Sequence, residues 1–217
     1  MTGWEVRVSR RVIGVTLDNL EDLPKHSRSC VYWEAAPHLK DQAEEFGTAE
    51  LEKEAWVSNV LLEWGSCGRL VYSDKLPVGF VLYAPPTAVP RAAAFPTSPP
   101  SADAVLLTGF HVLPEFRGGG LGRMLVQAVA KDLTRRGVKA IESFGDARPD
   151  EEVSCVVPAD FLLSVGFKTV RTHPRWPRLR LELRSALSWK EDVEAALERL
   201  LGTVSVSTVS PSPALQG

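Results

Sequence analysis

The chain has 217 residues, 44% of them hydrophobic and 24% charged, with a formal net charge of −2. That is room for one ordinary α/β domain with an appendage, and enough apolar material to fill its core. A near-neutral balance does not advertise a polyanion-binding surface, so no nucleic acid is expected as a partner. No stretch reaches the ~18 apolar residues a bilayer span needs, and the N-terminus lacks the apolar centre of a signal peptide; no membrane partner is expected. Cys30, Cys67 and Cys155 are widely spaced and odd in number. They make neither a metal knuckle nor a disulfide framework, so reduced thiols and a cytoplasmic location are expected. His26, His38, His111 and His173 show no metal-ligand spacing, and no metal is expected.

"VIGVTL", residues 12–17, reads as a first strand. The stretch after it is broken by Pro24 and cannot be one helix. Thr48 is placed to cap a helix running to Gly65, with Leu51, Ala55, Leu61 and Leu62 on or near one face. "CGRLVYS" and "VGFVLYA", separated by "DKLP", predict a hairpin from Cys67 to Ala84. Residues 85–103 are proline-rich and without periodicity, which predicts an irregular loop, disordered or serving as a lid. "AVLLTGFHVLP" is a buried-strand pattern halted by Pro114.

Apolar residues then recur at Leu121, Leu125, Ala128, Val129 and Leu133, the spacing of an amphipathic helix. Arg135 and Arg136 suit its C-terminus and Gly137 its stop. "KAIESFGD" predicts a further strand, "PADFLLSVGF" a short helix, and "FKTVR" and "LRLEL" the last two strands. Ser188 and Glu191 form a capping box for a helix over residues 185–202, with Val193, Ala196, Leu197 and Leu200 as its apolar stripe. Residues 203–217 read as a frayed, disordered tail.

Between the strand halted by Pro114 and the helix begun at Leu121 lies "EFRGGG", followed by Leu121 and Gly122. Three successive glycines lose much conformational entropy on folding, so the native state needs bare backbone there. A helix N-terminus has unpaired N–H groups and partial positive charge, and side-chain-free residues before it let a phosphate approach the main chain. A Walker loop is ruled out because Gly122 is followed by Arg123 and Met124. A dinucleotide fingerprint from Gly118 would need glycine at position 123, which is arginine.

"HVLPEFRGGGLGRMLVQAVAKDLTRRG" resembles the pyrophosphate-binding segment of the GNAT acyl-CoA N-acyltransferases, whose signature is Arg/Gln-x-x-Gly-x-Gly/Ala. Arg117, Gly120 and Gly122 match it. "ADFLLSVGF" is similar to the family's last helix and its Gly-Phe ending, here Gly166 and Phe167. The resemblance implies an α/β GNAT fold: a central mixed, mostly antiparallel sheet with a splayed strand pair, flanked by helices. It would occupy residues 12–184, after an N-terminal extension over 1–11. The implied cosubstrate is acetyl-CoA or another short acyl-CoA. Phe110, His111 and Val112 would line its pantetheine arm, and Arg117, Gly118, Gly119, Gly120, Leu121, Gly122 and Arg123 would hold its diphosphate.

The implied reaction is attack of an amine on the thioester, with the acceptor a small molecule or a protein. An alkyl amine is mostly protonated at neutral pH, so a base must take its proton. The oxyanion needs a donor, which the resemblance places at the Val112 N–H. Glu142 falls where some relatives carry a glutamate base, and His111 is its rival. As structural residues, Glu142 would be an outward carboxylate and His111 a core imidazole. Many relatives place a tyrosine acid four residues before the Gly-Phe pair; here that position is Leu162, beside Phe161. Cys155 is a candidate substitute. The departure also admits an acyl-CoA-binding sensor or interaction module that turns over weakly or not at all. The acceptor is expected near Tyr32, Trp33, Glu34, Arg91 and Phe95. The C-terminal helix could serve docking, homodimerisation or packing.

Overall fold

The computed structural model describes residues 9–149 and 155–183. The helix expected over 185–202, the tail over 203–217 and most of the N-terminal extension lie outside the described residues. β1 (Arg10–Gly14) is followed by a 3-10 turn at Leu17–Asp22, then α1 (Lys25–Arg28), α2 (Pro37–Glu45) and α3 (Ala49–Trp64). The hairpin β2 (Gly68–Ser73) and β3 (Leu76–Ala84) comes next, and two 3-10 turns lead to β4 (Ala104–Val112). The long helix α4 (Leu121–Arg135) precedes β5 (Ala140–Asp146), β6 (Val157–Pro158), α5 (Ala159–Ser164), β7 (Lys168–Arg171) and β8 (Arg178–Glu182).

The strands form one sheet in the order β1-β2-β3-β4-β5-β8-β7, with β6 on β5. The pairs β4–β5 and β5–β6 are parallel and the others antiparallel. Both faces are buried. Val71, Val81, Tyr83, Leu107 and Ile141 pack against α4 and α5, while Leu70, Phe80, Leu82, Leu106 and Phe144 meet Trp33, Trp56, Val57 and Val60. Successive residues alternate between the two cores, which explains why the strands read as continuous apolar runs. Among the described residues, no helix is long and apolar enough to cross a membrane.

Local signals and structure agree at the hairpin, whose turn holds Asp74 at φ 55°, and at Gly65, which ends α3 at φ 82°. Elsewhere tertiary contacts decide. β1 stops at Gly14 because Asn19 accepts the Thr16 N–H at 2.8 Å and donates to the Gly14 carbonyl at 2.9 Å, turning the chain. The inward face of α3 is Ala49, Lys53, Trp56, Val57 and Val60; Leu51 and Leu62, expected on the apolar face, are exposed. α2 was not anticipated; Pro37 starts it, where a missing N–H costs nothing.

Residues 85–103 correct the expectation of a disordered loop or lid. They contain 3-10 turns at Pro86–Ala88 and Pro90–Ala94, and Val89, Ala92, Phe95 and Thr97 are buried. Phe95 stacks on Phe144 at 4.4 Å and on Trp33 at 5.2 Å. The segment is a wall of the second core.

Candidate active site

The parallel pairing of β4 with β5 covers only Ala104–Leu106 against Ala140–Glu142. Beyond it the strands part, and at the fork the Ser143 hydroxyl donates to the Leu107 carbonyl at 2.9 Å. On the other side of β4 the Leu113 N–H donates to the Val78 carbonyl at 2.9 Å. Because main-chain groups alternate along a strand, the N–H groups of Phe110 and Val112 face the gap left by β5. The Val112 carbonyl there is held by Arg117 Nε at 3.0 Å.

One irregularity aims the side chains. Val81 lies opposite Phe110 and Tyr83 opposite Leu107, so β4 carries one residue more than β3 across that interval. Such a bulge reverses which face later residues occupy. Val112 joins the core against α4, and His111 turns to the opposite face, where it stacks on Phe80 at 6.3 Å.

The chain leaves β4 through a 3-10 turn at Pro114–Phe116 and enters α4 through the glycines. Gly118 and Gly120 have φ of 76° and 80°, a conformation costly for other residues, and no atom lies within 4 Å of where a Cβ would sit on either. The Met124 N–H donates to the Gly120 carbonyl, whereas no acceptor among the described residues takes the N–H groups of Gly120 to Arg123. These four consecutive amides open on a cleft of about 480 Å³, lined among others by Val112, Arg117, Gly120 and Phe161. Gly122 is required by packing: a Cβ there would lie 2.7 Å from the Phe161 ring, itself 4.4 Å from the Phe110 ring. Arg10 donates to the Gly119 carbonyl at 3.0 Å and Arg123 to the Ser164 carbonyl at 2.8 Å, so both arginines fasten the turn.

His111 borders this cleft and also a smaller recess of about 60 Å³ on the other face. Burial, then the charges of Arg117 and His26, hold the imidazole below its ordinary 6.5 and favour the neutral form. The recess is lined by His26, Cys30, Glu34, Lys53, Phe80 and Cys155 among others. Glu34 and Lys53 form a buried ion pair through Glu34 Oε1, while Glu34 Oε2 is buried without a partner. Cys30 and Cys155 Sγ are 2.9 Å apart, and the Trp33 indole donates to the Cys155 carbonyl at 2.7 Å.

Glu142 does not fit the base role expected of it. Its side chain is 0% exposed and borders neither the cleft nor the recess. Oε2 accepts from Arg178 and from the Ser101 N–H, both at 3.0 Å, and Oε1 accepts from Arg180 at 3.3 Å. A carboxylate held between two guanidinium groups under the proline-rich segment clasps that segment; it has no route to an amine. Leu162, at the position of the usual tyrosine, is fully buried. The three tyrosines are engaged elsewhere: Tyr32 under Arg91, Tyr72 on Asp22, Tyr83 on Asp132. Trp33 is a buried wall of the recess, and Phe95 lies in the core. The last strand, β8, turns Arg178 onto Glu142 and Arg180 onto Asp103.

The sequence reading missed Lys53, His26 and Cys30 as recess residues. His26 and Cys30 carry a helical four-residue spacing that could have drawn notice, but Cys155 reaches them only through the fold.

Residues 29–155 match the Acetyltransferase (GNAT) family. No curated protein matches the chain by sequence. Among solved structures, it is similar to the PaiA N-acetyltransferase of Thermoplasma acidophilum in complex with coenzyme A: 13% identity, TM-score 0.54, covering 80% of this chain and 99% of that one. It is also similar to YncA of Salmonella typhimurium with acetyl-CoA: 13% identity, TM-score 0.53, covering 81% and 94%. An N-acetyltransferase of Staphylococcus aureus Mu50 aligns at 11% identity, TM-score 0.51, covering 81% and 99%. At these identities the likeness speaks for the fold, and the match over more than half the chain settles kinship: this protein belongs to the GNAT acetyltransferase family.

Proposed function

We propose that the protein transfers an acetyl group from acetyl-CoA to a primary amine of a small molecule or protein. The observation that carries this reading is the run of unpartnered amides from Gly120 to Arg123, together with the gap-facing N–H groups of β4 that end beside His111. Two phosphates fit such a row at the start of a 15-residue helix, where partial positive charge adds to the amides. The pantetheine arm then pairs with Phe110 and Val112 as a short strand would. The thioester oxygen comes to the Val112 N–H, which receives the developing negative charge.

An amine with an ordinary pKa near 10.4 is neutral in about one molecule in 10³ at pH 7, so a base raises the reactive fraction. His111 serves: it joins cleft to recess and stays neutral below the usual histidine pKa. The unpartnered Oε2 of Glu34 draws the ammonium group into the recess and recovers the hydrogen bond that it lacks. The departing thiolate, with no tyrosine in reach, takes its proton from the imidazolium or from water.

The test is release of coenzyme A against a panel of amines and peptides, for wild type and His111→Gln. Loss of the base lowers kcat about 10²-fold or more while leaving coenzyme A affinity unchanged. The acid limb of wild-type kcat/KM lies below pH 6.5, because burial and neighbouring charge depress the His111 pKa, and it disappears in the variant. An acid limb retained by His111→Gln excludes the imidazole as base. Tight coenzyme A binding without release on any acceptor leaves a binding module.

A further inference from the structure

We propose that Cys30 and Cys155 are a redox-active dithiol that closes into an intrachain disulfide on the wall of the small recess, by exchange with a low-molecular-weight disulfide such as oxidised glutathione. The consequence for turnover rests on the reading of that recess as the acceptor site; the covalent step does not.

The two residues lie 125 positions apart, yet the fold sets their sulfurs 2.9 Å from one another. Closing to the ~2.05 Å of a disulfide takes about 1 Å of movement. Each side chain has a fixed base. Cys30 follows α1 and precedes the fully buried Val31, and the Cys155 carbonyl is held by the Trp33 indole. Both cysteines are partly exposed, whereas Cys67 is fully buried, and burial raises its thiol to about 12. The third cysteine is therefore an inert internal reference.

The pair is also asymmetric. The hydrogen bond from Cys155, aided by the Tyr32 backbone and the Lys53 charge, brings Cys30 down to about 7 against burial and the Glu34 charge. The same hydrogen bond, burial and the Cys30 and Glu34 charges push Cys155 up, with Lys53 opposing. Cys30 is the attacking thiolate and Cys155 the resolving thiol. His26 Nε2 stands 4.0 Å from Cys155 Sγ, on the recess side.

The exchange balances. The Cys30 thiolate attacks one sulfur of the oxidised small disulfide, expelling one thiolate and leaving a mixed disulfide on Cys30. Cys155 gives its proton to His26 or water, attacks the Cys30 sulfur and expels the second thiolate. Two protein thiols are oxidised by two electrons and one small disulfide is reduced to two thiols. The new bond ties the α1–α2 connection to the segment entering β6, both walls of the recess. Neither cysteine lines the coenzyme A cleft, so acceptor turnover should fall with coenzyme A affinity unchanged.

The test uses the full chain in glutathione buffers poised from about −300 to −180 mV, quenched with acid, alkylated and mapped without reduction. The expected result is one free thiol in place of three, a Cys30–Cys155 cross-linked peptide, and full recovery with dithiothreitol. Cys155→Ser should stop at a glutathione adduct on Cys30, and Cys30→Ser should form neither. Absence of the cross-linked peptide at every poise overturns the proposal. So does a cross-link between copies, or zinc retained in one-to-one ratio on both thiols. Equal turnover of the oxidised and reduced forms, measured as coenzyme A by chromatography, refutes the gate. A reduced protein that releases no coenzyme A with any amine would instead refute the acetyl-transfer reading, since the peptide map needs no acceptor.

Discussion

Replacing Glu142 by glutamine separates two roles that predict opposite measurements. The carboxylate is fully buried between Arg178, 7% exposed, and Arg180, 14% exposed, and it also caps the Ser101 N–H. Glutamine keeps one acceptor oxygen and turns an NH2 group toward a guanidinium or toward the Ser101 N–H, donor against donor. It also leaves the buried Arg178 without its counter-charge. Removing one partner of a buried pair costs about 3–5 kcal/mol; with one acceptor retained, ~2–4 kcal/mol is expected. For a domain of this size that lowers Tm by about 5–15 °C at ~2–4 °C per kcal/mol. Urea titration and thermal melting give the stability change, and kcat is measured at a temperature where the variant remains folded. The expected outcome is lost stability with nearly unchanged kcat. Unchanged Tm with kcat reduced ~10²-fold or more would refute the clasp and restore Glu142 as base.

Gly120→Glu tests the amide row. A side chain meets no atom there, so the folding cost is the left-handed conformation alone, about 1–2 kcal/mol. The carboxylate beside a bound diphosphate is expected to cost roughly 2–4 kcal/mol, or ~30- to 1,000-fold in Kd by calorimetry; unchanged affinity would remove the diphosphate from this turn. Asp132→Asn tests the anchor of α4. Burial works to raise this carboxyl, but the Tyr83 hydroxyl at 2.9 Å and the charges of Arg69 and Arg136 outweigh it and hold it below the ordinary 3.8. A depressed carboxyl contributes stability that is present above its unfolded pKa and lost as pH falls through the folded one. The variant should lose about 2–3 kcal/mol at pH 7 and show a flatter decline in urea stability below about pH 5; parallel wild-type and variant profiles would contradict the assignment.

The elements most legible in the amino-acid order were those specified within a few residues. The alternating runs around Asp74, the apolar spacing from Leu121 to Leu133 and the glycines before it each express a φ/ψ or periodicity preference that needs no distant partner. The glycine turn could be read as bare backbone before a helix because that arrangement is itself local. His111 was placed on the strand ending before Pro114, but the face it occupies was not legible: one extra residue between Leu107 and Phe110 sets it, and that bulge exists only against β3. The inward face of α3 escaped prediction because Lys53 is buried on Glu34, a polar pair that periodicity of apolar residues cannot anticipate.

Glu142 is the sharpest contrast. Its position on β5 is local information and was read correctly, whereas its duty is set by Arg178 and Arg180, which arrive from β8. The cysteines follow the same division: composition suggested separate reduced thiols, and only the folding of the N-terminal segment against the approach to β6 set two sulfurs together. Backbone preferences act over a few residues, so strands, helices and the glycine turn were written in the order of amino acids. Which carboxylate is a clasp, which imidazole lies between cleft and recess and which thiols meet depends on burial and charge contributed by remote parts of the chain, and only tertiary structure could decide it.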